Sequence, residues 1–328
     1  MNSYTERGDL NTQRQFGYAA APYPLDKFVE LDLAVRKPGD IVLRLAFDIG
    51  SGTHRDCMTS STDKERFRSG VGKYAAYLET AEGRLRVDLA FANLQDLLPR
   101  STSSLRALDI GGGTGVLALR LARLGFYVTL LDSSAEMLSL AERSAKEDGV
   151  AEKIALHQCD ASQVGDRFQH ASFDLILCHN ILEFVDNPLA VLQSAARILR
   201  DRSSILSVLV RNQAGEVLKA ALKQGDLAAA DRNLTSEWGD ESLYGGSVRL
   251  FPADNLRATL TAASLTVIAE RGVRVISDYL RQEISGEDEY AEVFGLERKL
   301  GMRKEFVPIA RYTHCLARRR SSVAKDEA

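Results

Sequence analysis

The chain has 328 residues and a formal net charge of −3 at pH 7, with 45 % of residues hydrophobic and 27 % charged. That is the composition of a globular protein able to build a full-sized core, as one large domain or two small ones, without disulfide or metal staples. The weak acidity excludes wholesale coating of nucleic acid while leaving room for a local basic patch. No apolar run approaches the ~20 residues of a membrane span. The first residues, MNSYTERGDLNTQRQFGY, are polar and lack the apolar stretch of a secretory signal. Cys57, Cys159, Cys178 and Cys315 are scattered, with no Cys-x-x-Cys or Cys/His ligand spacing. The expectation is therefore no metal and a reduced, cytoplasmic setting.

Residues 1–65 hold three of the seven prolines and a Gly/Ser/Thr-rich stretch over 48–63. They read as an extension or partly flexible arm, with IVLRLAF at 41–47 as a strand candidate. Residues 64–98 are helical in pattern. Short apolar runs then alternate with helical segments: strands at 105–110, 127–132, 154–158, 173–178 and 205–210, helices at 116–124, 135–148 and 188–199. Such alternation predicts an α/β domain, residues 66–320, with a parallel sheet and helices on both faces. Two further strands are expected at 265–270 and 311–318, and a tail at 321–328. Residues 212–249 and 278–306 are too long and polar for simple loops. They are expected to form a cap over the C-terminal edge of the sheet.

The chemistry is concentrated in the segment from Asp109 to Gly115, DIGGGTG, which follows a strand and opens a helix. Gly111, Gly113 and Gly115 let backbone approach a ligand closely. Dinucleotide folds use a similar loop, so the loop alone decides little. Asp109, ending the strand before the glycines, welcomes a cationic amino-acid end and is not needed for a pyrophosphate. Asp132 ends the next strand, placed to accept from both ribose hydroxyls, or to cap the following helix. Asp160, followed by Ala161 in QCDAS, is placed to reach an adenine amino group. Met137 either packs on adenine or belongs to the core. This succession of acids and glycines at strand ends points to a site for S-adenosylmethionine (SAM), with S-adenosylhomocysteine (SAH) as product.

At this level the sequence resembles the class I SAM-dependent methyltransferases, through DIGGGTG, LLDSSAEML and FDLILCHNILEFVDNP. More narrowly it is similar to the bacterial tRNA 5-carboxymethoxyuridine methyltransferases. EGRLR at 82–86, HNILEF at 179–184, GVRV with DYLR at 272–281 and RYTHCLARR at 311–319 carry that similarity. It spans residues 67–319. It implies a Rossmann-like sheet, parallel with an antiparallel C-terminal strand, plus helical cap insertions. It also implies that Arg86 reaches the SAM carboxylate, that His179 faces the reaction centre as a catalytic residue, and that Glu183 orients His179. Three departures stand out. Thr114 replaces an acid, HNILEF lacks the family's tryptophan after the glutamate, and EWGDESLYGGS at 237–247 is acidic where the family is lysine-rich.

A carboxylate acceptor is ionised at pH 7 and needs cations rather than a base. Arg211, Arg249, Arg274 and Arg281 are the candidate cations, with Tyr244, Tyr279 and Tyr312 as further pocket candidates. An amine or hydroxyl acceptor needs a base, and His179 is then the candidate. From Arg298 to Arg320 there are eight Lys/Arg against one Glu, a local positive patch suited to tRNA. The acidic stretch over 227–247 instead suits a small molecule, because it repels phosphate. The reading is thus an enzyme methylating a small-molecule acceptor, with a tRNA wobble uridine as alternative and a non-catalytic SAM-binding subunit as second alternative.

Overall fold

The computed structural model describes residues 61–98, 105–280 and 283–320. Residues 1–60 of the N-terminal extension, with the strand candidate at 41–47, Arg281 and the tail at 321–328 lie outside the described residues.

Helices α1 (Ser61–Glu79) and α2 (Ala81–Gln95) replace the single helical stretch expected over 64–98. The break has a local cause. Thr80 caps α2, its Oγ1 accepting from the Gly83 N–H at 3.1 Å. At Gly83 a side chain would meet the Tyr77 carbonyl oxygen at 1.9 Å, so only glycine permits the corner. The chain then alternates as expected: β1 (Arg106–Ile110), α3 (Val116–Arg123), β2 (Tyr127–Asp132), α4 (Ala135–Glu147), β3 (Ile154–Gln158), α5 (Val164–Arg167), β4 (Leu175–His179), α6 (Pro188–Ile198) and β5 (Ile205–Arg211). A cap follows, made of α7 (Gln213–Leu218), a π-helical turn (Lys219–Lys223), α8 (Leu227–Asn233) and a hairpin of β6 (Trp238–Asp240) with β7 (Ser247–Arg249). The chain returns through α9 (Ala253–Ala262) and β8 (Leu265–Val273), crosses α10 (Gly286–Gly301) and ends in β9 (Tyr312–Arg319).

Seven strands form one sheet in the order β3-β2-β1-β4-β5-β9-β8. The first five are parallel, and β9 runs antiparallel to both β5 and β8. Both faces are covered, so the central strands read as continuous apolar runs. Leu108, Ile110, Ile176 and Cys178 face the core under α6 and α9. Ala107, Leu175 and Leu177 face the opposite core, under α3 and α4. Strand order reverses between β1 and β4. The crevice outside their carboxyl ends is the place where such sheets bind ligands. No helix among the described residues is long and apolar enough to cross a membrane.

Several expected boundaries move. Phe173 makes only an isolated bridge to Leu199, so β4 starts two residues later than the apolar run. β8 continues to Val273 through a register shift between Val267 and Ala269. The second stretch expected in the cap, 278–306, contributes α10, which packs on α2 and β8 and is tied by Arg84–Glu287 and Arg298–Asp96 ion pairs. It does not line the crevice. The reason lies in its apolar stripe, where Tyr290, Val293 and Phe294 join the Leu85 and Leu89 cluster of α2.

Candidate active site

A cavity of ≈ 270 Å³ opens at the carboxyl ends of β1, β2 and β4, roofed by the β6–β7 hairpin. Its floor is the glycine loop. Gly113 sits at φ +55° in the left-handed region that glycine enters at no steric cost. A side chain there would point toward the Tyr74 ring edge and Met137 Sδ, at 3.6 and 3.9 Å, across the space a ligand would enter. Gly111 lines the same cavity. Gly115 does not. A Cβ on it would strike Ala141 at 3.0 Å and Leu130 at 3.1 Å, so its smallness serves the packing of the loop against α4 and β2 rather than ligand contact.

Asp132 organises the loop. Its Oδ2 accepts from the Gly113 N–H and its Oδ1 from the Ser134 N–H, each at 2.9 Å. The cap of α4 is Ser134, which accepts from the Met137 N–H at 3.2 Å. Burial pushes the Asp132 carboxyl up, and the backbone donors pull the other way. Asp109 is more isolated. It is 3 % exposed and faces an adjoining recess shared with Arg86 and His179. No described residue donates to its carboxylate. Burial first, then the Asp132 charge, raise its pKa to about 7. A carboxylate so placed lacks a cation, which the ammonium of SAM would supply. Met137 and Ala161 are buried cavity residues. Asp160 lines the cavity too, but its Oδ1 is engaged by the Ser162 N–H at 2.9 Å and hydroxyl at 2.6 Å. This is the cap of a short 3-10 turn, leaving Oδ2 for a ligand.

Arg86 answers Asp109 with the opposite charge. It projects from α2, is 7 % exposed, and donates to Asn180 Oδ1 and to the Tyr74 hydroxyl, both at 3.1 Å. Its guanidinium lies 5.0 Å from the Tyr77 ring centroid. Burial works against the charge, but the surrounding tyrosines hold its pKa above the ordinary arginine value. Buried charges are normally paired. Arg86 has no carboxylate partner among the described residues, so it fits the carboxylate of SAM. Asn180 is held at φ +52°, a strained position asparagine tolerates better than most residues. Its side chain bridges Arg86 and Glu183, donating to Glu183 Oε1 at 3.0 Å.

One expectation about the residues at and after the end of β4 is corrected here. Glu183 does not orient His179. Its Oε1 accepts from Asn180 and from the Arg211 N–H at 2.8 Å, while its buried Oε2 has no partner among the described residues. His179 is oriented instead by Ser207. His179 Nε2 lies 2.8 Å from Ser207 Oγ, which lies 2.8 Å from His314 Nε2. The two imidazoles meet edge to face at 5.1 Å. Burial, then His314 and Arg86, drive the His179 pKa well below its ordinary value. The ring is therefore neutral and a weak base.

On the acceptor side the structure brings Arg211 and Tyr244 to the cavity wall, with Phe184, Glu241 and Leu243. Arg249, Arg274 and Tyr279 are not there. Arg249 lies over the Trp238 ring at 5.2 Å. Arg274 is turned inward onto Asp278 and donates to the Tyr77 hydroxyl at 2.9 Å. Tyr279 points its hydroxyl at the Gly215 carbonyl, 3.4 Å away. Tyr312 is buried in the α2–β9 core. Tyr74, Asn180, Ser207 and Glu241 were not singled out from sequence. Asn180 adjoins a chosen histidine and Glu241 sits in the noted acidic stretch. Tyr74 and Ser207 carry no pattern that sets them apart.

Residues 108–207 match the family model described as a methyltransferase domain. The chain is 29 % identical over 249 residues to the tRNA 5-carboxymethoxyuridine methyltransferase of Escherichia coli K12, covering 75 % of this chain and 92 % of that one. It is 36 % identical over 108 residues to the ubiquinone biosynthesis O-methyltransferase of Vibrio cholerae, 33 % of this chain and 43 % of that one. Among solved structures, a SAM-dependent methyltransferase of Thermotoga maritima, described as a possible histamine N-methyltransferase, shares the fold. The TM-score is 0.51 at 17 % identity, over 78 % of this chain and 99 % of that one. The matched domain, these relatives and the seven-stranded sheet together identify a SAM-dependent methyltransferase on a Rossmann-like sheet.

Proposed function

We propose that the enzyme methylates a small-molecule acceptor lying between the ends of β4 and β5 and the hairpin of the cap. The observation that carries this reading is the charge of the cavity wall. Among the described residues, Asp132, Asp160, Glu183, Asp186 and Glu241 line it against Arg86 and Arg211. Such a wall attracts the net positive cofactor and repels phosphodiester.

Arg86 would hold the SAM carboxylate, Asp109 the ammonium and Asp132 the ribose hydroxyls, with Met137 against the adenine. Bound SAM supplies a methyl group already activated by its sulfonium; the methyl carbon would pass to the acceptor's lone pair, the carbon–sulfur electrons staying on sulfur to give SAH. The protein aligns the acceptor and excludes water, through the Tyr74 and Tyr244 rings above and Ile181 and Phe184 beside the site. An N–H or O–H acceptor also gives up a proton. Glu183 is the cavity carboxylate that would take it once its buried Oε2 turned toward the acceptor, and burial raises the basicity of that group. His179 packs neutral beneath the reaction centre and positions rather than titrates.

The second reading, a tRNA wobble 5-carboxymethoxyuridine, is favoured by the match to 92 % of the Escherichia coli tRNA enzyme. Methyl-labelled SAM separates the two. Label in a small-molecule extract and none in bulk tRNA is the expected result. Label in tRNA that mild alkali removes, as from a carboxyl methyl ester, overturns it. The test also covers the non-catalytic alternative, which transfers label to neither.

A further inference from the structure

Arg211 is the one guanidinium on the acceptor side of the described cavity wall, and the cap already occupies it. Its NH2 donates to Glu241 Oε2 at 2.6 Å, its NH1 donates to the Asp240 carbonyl at 3.2 Å, and Glu216 Oε1 lies 3.4 Å away. The Glu241 side chain is 2 % exposed, and its other oxygen accepts from the Leu243 N–H at 2.7 Å. Behind this pair the charges interlock, and Lys219 also lies close to Glu216, Arg211 and Arg311. Arg311 pairs with Glu216 and Asp278, and Arg274 pairs with Asp278. Arg211, Lys219, Arg274 and Arg311 thus face Glu216, Glu241 and Asp278, and each of these carboxylates already holds an arginine. A further carboxylate brought to Arg211 would meet the Glu241 carboxylate that already holds its guanidinium, a like charge at close range. Nearby, Glu183 Oε2 lacks a donor among the described residues, and an acceptor N–H or O–H would supply one.

We infer that Glu241 determines acceptor specificity: it fills the anion position on Arg211, so that the enzyme accepts an uncharged amine or hydroxyl and rejects a carboxylate. This rests on the methyltransferase reading of the site and names the acceptor class within it. The acidic hairpin is then a built-in replacement for a substrate carboxylate.

The test titrates the full-length protein, saturated with SAH, with the nucleoside 5-carboxymethoxyuridine. SAH binding is read first. Wild-type protein that binds no SAH refutes the methyltransferase reading and this inference with it. Given SAH binding, Glu241→Ala is expected to bind the nucleoside at least about tenfold more tightly than wild type, the scale of one charge-assisted contact. Adding Arg211→Ala is expected to abolish the gain. Glu241→Gln keeps the side-chain size and the contact with Leu243, and shows a gain in the same direction if the alanine variant folds poorly. Wild type binding the nucleoside as tightly as Glu241→Ala, or no gain in either variant, overturns the inference.

Discussion

Tyr74 of α1 and Tyr244 of the cap hairpin lie stacked, with ring centroids 5.9 Å apart and planes inclined by 27°. Phe184 meets Tyr244 edge-on at 6.1 Å. The Tyr244 ring also rests on the backbone of α1, since a side chain at Gly70 would meet its Cδ1 at 2.3 Å. An N-terminal helix and a cap inserted after β5 therefore close over the cavity through one aromatic contact. Tyr244→Ala removes an aromatic pair of about 1 kcal/mol. It is expected to speed SAH release several-fold, measured by stopped-flow displacement. An unchanged release rate would show that the rings do not gate the site.

If Asp109 holds the ammonium of SAM as proposed, cofactor affinity is expected to depend on pH. Its ordinary pKa of 3.8 rises to about 7 in the folded protein, and the ammonium of SAM needs the ionised form. Affinity is expected to fall as pH drops below about 7, and Asp109→Asn to bind weakly with that dependence gone. For stability the sign is opposite. The folded state binds the extra proton between about pH 4 and pH 7, so the free enzyme loses stability as pH rises through that window. Thermal melting from pH 5 to 8, with wild type and Asp109→Asn side by side, checks it. A melting profile identical in both contradicts the assignment.

Asp132 holds the Gly113 and Ser134 N–H groups, and in the proposed site it would also accept from the ribose. Asp132→Ala is expected to weaken SAM binding by ~1–3 kcal/mol, the scale of lost hydrogen bonds to a charged group. Calorimetry reads this directly, and undiminished affinity would remove Asp132 from the site.

Ser207 links the buried His314 ring to the half-buried His179 ring. Ser207→Ala leaves both Nε2 atoms without that partner, at a cost of ~1–3 kcal/mol. The urea midpoint is expected to fall, with turnover falling further because His179 loses its anchor. A stability loss with unchanged turnover would make the pair a core feature only.

The parts of this account legible in sequence are those where local pattern and position coincide. The glycine loop with Asp109, Asp132 and Asp160 could be read because each acid ends an apolar run and opens a helix. The parallel strands could be read because both faces are buried, so their residues are apolar without alternation. Arg274 was misjudged because a buried partner, Asp278, lies four residues on in a turn with no periodicity. Arg249 was misjudged because β6 and β7 are three residues each, too short to show a strand pattern. α9 carries the signal of Leu256 and Leu260, both buried at i and i+4, within a segment whose polarity masks it. The chain from His179 through Ser207 to His314 joins β4, β5 and β9 across 135 residues of sequence, and only the sheet register brings it together.

The most direct test of the site is the comparison of SAH with methylthioadenosine, which lacks the amino-acid end, on wild type and Arg86→Ala. The account predicts that Arg86→Ala weakens SAH binding by ~1.5–3 kcal/mol, the value of a charge-assisted contact, and leaves methylthioadenosine affinity unchanged. Equal weakening of both ligands would contradict it, because Arg86 would then be shaping the pocket rather than holding the carboxylate.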